Sequence, residues 1–156
     1  MKILLISDSH GDIATSKYLV SLYPNMDYYL DGGDSEMYET NLRPYISVRG
    51  NMDLDTSLPE KVILPTPFGN LFMRHVPYIE PSEIEENNIK IFIHGHTHKP
   101  EFNENNGLIT LCPGSLMYPR SVMEETYMIV DIDENKVTMK LYNLETNKKV
   151  FEKIFK

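Results

Sequence analysis

Apolar residues in this chain fall in short runs, and nearly every run stops at a polar residue with a glycine close by. Residues 2–7, Lys2-Ile3-Leu4-Leu5-Ile6-Ser7, are almost continuously apolar, the pattern of a strand buried on both faces. From Asp12 to Leu22 the period changes. Tyr18, Leu19 and Leu22 form a helical stripe, Asp12 is placed to cap it, and Pro24 stops it. Strand-like runs return at Tyr28–Leu30, Tyr45–Val48, Lys61–Leu64, Leu71–Arg74 and Ile89–Ile93. A short acidic helix is expected over Ser82–Asn87, with Ser82 as its cap. Further on, Leu108–Leu111, Thr126–Ile132 and Lys136–Tyr142 read as strands, with Asp133-Glu134-Asn135 as a turn. The tail, Lys148–Phe155, alternates charged and apolar residues and predicts an edge strand with one wet face. The first half has βαβ-like spacing and the second half is hairpin-like. The expected class is α/β, two packed sheets with helices outside, in one domain spanning 1–156.

Composition narrows the function. The chain has 156 residues, enough for one core, and 41% of them are hydrophobic, as in an ordinary globular chain. The formal charge of −8 argues against a protein that wraps duplex nucleic acid, which needs a basic face. It leaves room for a small phosphate-bearing substrate, because bound cations reverse the field locally. The single cysteine, Cys112, rules out an intramolecular disulfide and suggests a reducing compartment. The run Ile3–Ile6 is too short for a signal peptide, and no stretch approaches a membrane span. A cytoplasmic location with no membrane partner is expected.

The candidate chemistry lies where the strands end. Strand 2–7 leads into Asp8-Ser9-His10, strand 28–30 passes two glycines into Asp34, and strand 45–48 leads into Arg49-Gly50-Asn51. His75 follows strand 71–74, and His94-Gly95-His96-Thr97-His98 follows strand 89–93. In open α/β sheets ligands bind outside the carboxyl ends of the strands, so these groups are expected to converge. Each block alone has an ordinary reading: Gly-Asp and Gly-Asn are common turn dipeptides, and Asp-x-His is often a solvated loop. The ordered set is what matters, since all five histidines fall at strand ends. Mixed carboxylate, imidazole and amide donors suit borderline first-row metals.

These ordered blocks resemble those of the calcineurin-like metallophosphoesterases. Pro113-Gly114-Ser115, the later Pro119-Arg120 and the short length are similar to its small prokaryotic phosphodiesterase branch. The resemblance implies a four-layer α-β-β-α sandwich, two mixed sheets flanked by helices. It implies two divalent metal ions, manganese first, with nickel, iron, zinc or cobalt as alternatives. Asp8, His10 and His98 would hold one ion, Asn51, His75 and His96 the second, and Asp34 would bridge them. Hydrolysis of phosphodiesters would follow from attack by a hydroxide bridging the ions. Three departures stand out. Met52 occupies a position where many relatives carry histidine near the leaving group, and methionine transfers no proton. Val76-Pro77 follows His75 where a glycine is common, and Cys112 stands where the branch often has asparagine.

Other roles follow more loosely. Asn51 is expected to orient phosphate as well as ligate. Asp53 is a candidate to hydrogen-bond a ligand histidine, with a solvated loop residue as the equal alternative; His94 is a candidate to assist the leaving group, with a structural role preferred. Arg49 and Arg120 are candidates for phosphate contact, with a structural ion pair or turn role preferred for Arg120. The expected partner is a small phosphoester, with a homodimer left open. The competing readings are a metal-poor interaction scaffold of the same fold, and a phosphomonoesterase or cyclic-nucleotide hydrolase.

Overall fold

The computed structural model describes residues 1–156. In chain order the elements are β1 (Lys2–Ile6), α1 (Ile13–Leu22), β2 (Tyr28–Asp31), α2 (Glu39–Leu42), β3 (Ile46–Ser47), β4 (Lys61–Thr66) and β5 (Gly69–Arg74). They continue with α3 (Pro81–Glu86), β6 (Ile89–Ile93), β7 (Pro100–Asn105), β8 (Leu108–Pro113), β9 (Thr126–Ile132), β10 (Val137–Asn143) and β11 (Lys149–Phe155). Two mixed sheets result. The first runs β11-β10-β9-β1-β2-β3 and the second β4-β5-β6-β8-β7.

Alternation along the strands explains the layers. Ile3 and Leu5 of β1 point between the sheets, into a cluster with Leu71, Met73, Ile91, Ile93, Met128 and Val130. Leu4 and Ile6 point to the other face, where they meet Leu19 of α1 together with Tyr127 and Ile129. That is why β1 is continuously apolar: both of its faces are covered. On the outer face of the second sheet, Ile84 of α3 packs against Phe72, Ile89 and Phe92. The order is helix, sheet, sheet, helix, the four-layer arrangement expected.

Several elements differ from the sequence reading. The third helix starts at Pro81, not Ser82, and its cap is Glu80, in a reciprocal capping box with Glu83. Proline fits at the first helical position because its missing N–H has no intrahelical partner to lose. Strand β7 was not expected, since Pro-Glu-Phe-Asn-Glu-Asn carries little apolar pattern. It forms because Asn106 and Gly107 both adopt positive φ, 51° and 77°, and close a tight hairpin onto β8. The four-residue helix α2 was also not expected. The terminal strand is an edge strand, but it is wet on both faces. Val150, Phe151 and Ile154 are all exposed, and only Phe155 reaches the core. Phe151 instead stacks on Phe102, with ring centroids 4.6 Å apart.

The topology fixes where a site can form. Strands β1, β2 and β3 are parallel, as are β5, β6 and β8. The loops following β1, β2, β3, β5 and β6 carry the residues that the sequence marks as metal donors.

One buried carboxyl in this framework is expected to cost stability. Asp31, at the end of β2, is fully buried, and its Oδ2 has no hydrogen-bond partner. Burial pushes its pKa up to about 7 from 3.8, against the pull of Ser47 and the Gly33 N–H. A carboxyl with a raised folded pKa holds its proton in the native state after the unfolded chain has released it. Its contribution to stability therefore falls as pH climbs from about 4 to about 7 and is flat above. In metal-free protein Asp31→Asn should remove that slope and raise stability by about 1–3 kcal/mol at alkaline pH. Urea denaturation at acidic and alkaline pH checks it, and equal loss at both would contradict it.

Candidate metal centre

Five of the seven expected donors sit on left-handed backbone. Asp8, His10, Asp34, His96 and His98 have φ of 52°, 43°, 55°, 68° and 58°. Non-glycine residues visit this region rarely, and each such residue stores strain of order 1 kcal/mol or more. Loops that reverse within one or two residues of a strand end can bring side chains back over the sheet edge. The strain is held in place by contacts made elsewhere in the loops.

Asp53 makes most of those contacts. Its carboxylate accepts the N–H groups of Asp34 (3.0 Å), Glu36 (2.8 Å) and Gly50 (2.7 Å), and lies 3.4 Å from the Ser35 hydroxyl. It ties the loop after β2 to the loop after β3. It does not hydrogen-bond a ligand histidine, which corrects that expectation. Gly50 is needed where it stands, because a Cβ there would lie 2.1 Å from Asp34 Oδ1 and 2.5 Å from Asp34 N.

The donors form two clusters, Asp8 with His10 and His98, and Asp34 with His75 and His96. Asn51 joins the second: its Oδ1 lies 3.1 Å from both His75 Nε2 and His96 Nδ1. Asp8 Oδ1 is 3.2 Å from His98 Nε2 and 4.0 Å from both His10 Nε2 and His75 Nε2, so it lies between the clusters. Asp34 Oδ2 is 3.2 Å from His75 Nε2.

Hydrogen bonding fixes which nitrogen each ring presents. His10 Nδ1 donates to the Glu36 carboxylate at 2.6 Å, His75 Nδ1 to the Gly32 carbonyl at 2.8 Å, and His98 Nδ1 to the Tyr118 carbonyl at 2.6 Å. Their Nε2 atoms then carry lone pairs, and these face inward. His10 Nε2 and His98 Nε2 face each other across 3.3 Å. Asp8 Oδ1 is buried beside them without a hydrogen-bond partner. Lone pairs gathered this closely repel, and a shared cation is what relieves them. Donors about 3 Å apart also suit ions bound at roughly 2.1 Å. The residues present therefore fit divalent metal ions. The ionisation of the site agrees. Burial works against a charged His75, yet Asp34, Asp8 and the Gly32 carbonyl hold its pKa above the usual value. Burial likewise works against the Asp34 anion, but His75 and the Met52 N–H keep its pKa low. The pocket stabilises positive charge at its centre.

Not every candidate joins the site. His94 is buried with Nε2 on the Glu101 carboxylate (2.8 Å) and Nδ1 on the Gly95 carbonyl (2.9 Å), which ties the ligand loop to β7. With both nitrogens occupied it does not line the metal cleft, which sets aside the leaving-group role and agrees with the preferred structural one. Cys112 is buried with its thiol pushed up to about 12 by desolvation. The metal cleft, about 370 Å³, is lined by donor residues together with Glu36, Met52, Tyr118 and Arg120. Met52 is half exposed at its rim.

Sequence reasoning missed Glu36 and Ser115. Ser115 accepts from the N–H groups of Met117 and Tyr118 and donates to the Asp8 carbonyl, so it locks the Tyr118 loop over β1. The Pro-Gly-Ser block was its signal. Glu36 had none, because only its positive φ of 55° turns it toward His10. Glu36→Gln keeps the size and removes the charge that holds the His10 tautomer. It should weaken metal binding by about 10–100-fold, measurable by calorimetric titration of metal-depleted protein; unchanged affinity would contradict that role.

The chain and its fold have known relatives. A family profile, the calcineurin-like phosphoesterase superfamily domain, matches residues 1–135. The chain is 25% identical over 158 aligned residues to the probable metallophosphoesterase YsnB of Bacillus subtilis (strain 168), covering 94% of each chain. Its fold is similar to a conserved protein of Streptococcus pneumoniae TIGR4, described as a predicted phosphoesterase. There the TM-score is 0.86 at 24% identity, over 99% of this chain and 96% of that one. It is also similar to a single mutant of Vps29 from Entamoeba histolytica, with TM-score 0.76, 21% identity and full coverage of both chains. With the fold, the ordered donors and the profile in agreement, the chain belongs to the calcineurin-like phosphoesterase superfamily.

Proposed function

We propose that the protein is a dinuclear metal-dependent phosphodiesterase. The observation that carries this is the convergence of inward-facing histidine lone pairs and the unpartnered Asp8 oxygen in two adjoining clusters. Asp8, His10 and His98 would hold one ion, and Asn51, His75 and His96 the other, with Asp34 between them. Two divalent ions, manganese first, would supply Lewis acidity and a water of lowered pKa.

The chain's own groups do the positioning. Glu36, Gly32 and the Tyr118 carbonyl fix three imidazole rotamers, so little reorganisation is needed when a substrate arrives. The Asn51 amide stands at the junction of the metal cleft and a second cleft beyond His75. Arg120 lines the metal cleft and can donate to non-bridging phosphoryl oxygens. Space on both sides of Asn51 favours a diester, which has two arms to place, over a monoester with one. Met52 gives the leaving group no proton, so esters of acidic alcohols should react fastest.

Metal-depleted protein should hydrolyse neither bis(p-nitrophenyl) phosphate nor p-nitrophenyl phosphate. After manganese is restored, the diester should be preferred by about tenfold or more in kcat/KM. A monoester preference would overturn the diesterase reading in favour of a phosphomonoesterase. Vps29 shares the fold, and the apolar side chains Met52, Leu54 and Tyr118 are exposed around the cleft. Less than one bound ion per chain and no ester hydrolysis would instead support an interaction scaffold.

A further inference from the structure

The metal centre opens on one side into a second cleft. This cleft, about 350 Å³, lies beyond Asn51 and His75 and is lined further by Arg49, Arg74, Glu60 and Val76. Its volume suits a small ligand portion such as a sugar with one substituent. Its charges sort into spent and unspent. The Asp53 carboxylate at its floor is consumed by backbone N–H groups. Arg74 is a forked partner of Glu83, at 2.8 Å and 3.1 Å, and also donates to the Tyr78 carbonyl. That pairing, above all Arg74 itself, pulls the Glu83 pKa down to about 2. Arg49 differs. Its backbone N–H donates to the Pro59 carbonyl, but the guanidinium of this partly exposed residue has neither a hydrogen bond nor a carboxylate within ion-pair distance. Glu60 is the one unspent carboxylate, and it is exposed.

A guanidinium presents a planar fork of donors suited to phosphate oxygens. Arg49 lines the cleft with that fork free of any protein partner. A pocket of about 100 Å³ adjoins the metal cleft at Glu36 and Met52 and offers no guanidinium: Met37, Tyr38, Met52 and Leu54 line it together with the carboxylates Glu36 and Asp55. The two sides of the centre are therefore chemically unlike.

We propose that the Arg49 cleft is a subsite for a second phosphate, carried on one arm of the diester, with Arg49 as its specificity-determining residue. The substrate class is then a phosphodiester with a further phosphate on one arm and an uncharged arm on the other. The inference rests on the phosphodiesterase reading. Arg120, in the metal cleft itself, serves the reacting phosphoryl group; Arg49 serves the remote one.

The test uses manganese-loaded protein and two p-nitrophenyl diesters of thymidine. They share the scissile group and differ in whether the sugar carries a further phosphate. Wild type should prefer the phosphate-bearing diester by about tenfold in kcat/KM, mostly through KM. Arg49→Gln should abolish that preference, and Arg49→Lys, which keeps charge but not the fork, should retain part of it. Glu60→Gln, which removes the opposing charge, should enlarge it. No preference in wild type, or a preference that survives in Arg49→Gln, overturns the subsite. Failure of wild type to release p-nitrophenol from either diester or from bis(p-nitrophenyl) phosphate would instead strike the phosphodiesterase reading.

Discussion

Asp34→Asn should lower phosphodiester kcat/KM by about a hundredfold or more, with loss of bound metal. The substitution is close to isosteric, and its consequences differ at the two oxygens. Asp34 Oδ1 accepts the Met52 N–H at 2.8 Å, and an asparagine oxygen can keep that bond. The loop should therefore stay where it is. At the other position, 3.2 Å from His75 Nε2, an amide –NH2 would replace a carboxylate oxygen. It would donate into the histidine lone pair that a cation should occupy. It would also remove one anionic charge from the second cluster. Metal content by atomic absorption and hydrolysis of bis(p-nitrophenyl) phosphate measure the two effects separately. Full activity in the variant would sink the bridging assignment.

Gly50→Ala is the second large effect, and it acts without touching a donor. The added Cβ would meet Asp34 Oδ1 at 2.1 Å, Asp34 N at 2.5 Å and Asp34 Cγ at 2.7 Å. Two of these atoms belong to the side chain that should ligate, and the third is backbone held by Asp53. Nothing there is the loose end of a flexible chain. The loops after β2 and β3 must separate, at a cost of about 1–3 kcal/mol in stability and with loss of metal binding. Gly95→Ala should behave similarly, because its Cβ would lie 2.1 Å from Ser7 Oγ and 2.8 Å from Asp8 Oδ2. Gly107→Ala is the control. Gly107 also has positive φ, but its Cβ would meet nothing within 4 Å, and it sits in the turn between β7 and β8. It should cost about 1 kcal/mol of stability and leave hydrolysis intact. If Gly50→Ala matched Gly107→Ala in metal content and activity, the close approach of the two loops would not matter.

Particular residues show what the sequence could and could not carry. The buried strands were legible because continuous runs such as Ile3–Ile6 need cover on both faces, and α1 and the facing sheet supply it. Asp12 was legible as a cap because its side chain reaches the Thr15 N–H, a contact set by local spacing. The donors were legible because they follow strand ends, and parallel strands place those ends together. What failed was information held in backbone dihedrals. Strand β7 depends on a left-handed Asn106-Gly107 turn; the dipeptide was a usable signal, but the polar strand before it hid the hairpin. Glu36 depends on a left-handed residue that no local pattern requires. Asp53 and His94 failed differently. Both were site candidates by residue type near the motifs, His94 with a structural role preferred, and tertiary contacts spend Asp53 on three backbone N–H groups and His94 on Glu101.

The centre's electrostatics link these observations to function. Without a cation, a proton on His75 is the nearest substitute, stabilised by Asp34, Asp8 and the Gly32 carbonyl. Protons and metal ions then compete for one place, so metal affinity should decline as pH falls. The chain carries a formal charge of −8, and the two clefts set Arg49, Arg74 and Arg120 among the carboxylates Asp34, Glu36, Asp53 and Glu60. Overall acidity is compatible with phosphate binding at such a centre once ions are bound, because the field near a bound divalent ion is set by that ion.

The most direct test of the central claim is a stoichiometric titration of metal-depleted protein with manganese. Bound ion and hydrolysis of bis(p-nitrophenyl) phosphate would be followed together. Two clusters of donors predict that activity rises with metal and reaches its plateau at two ions per chain. A plateau at one ion, or two bound ions with no hydrolysis, would contradict a dinuclear phosphodiesterase.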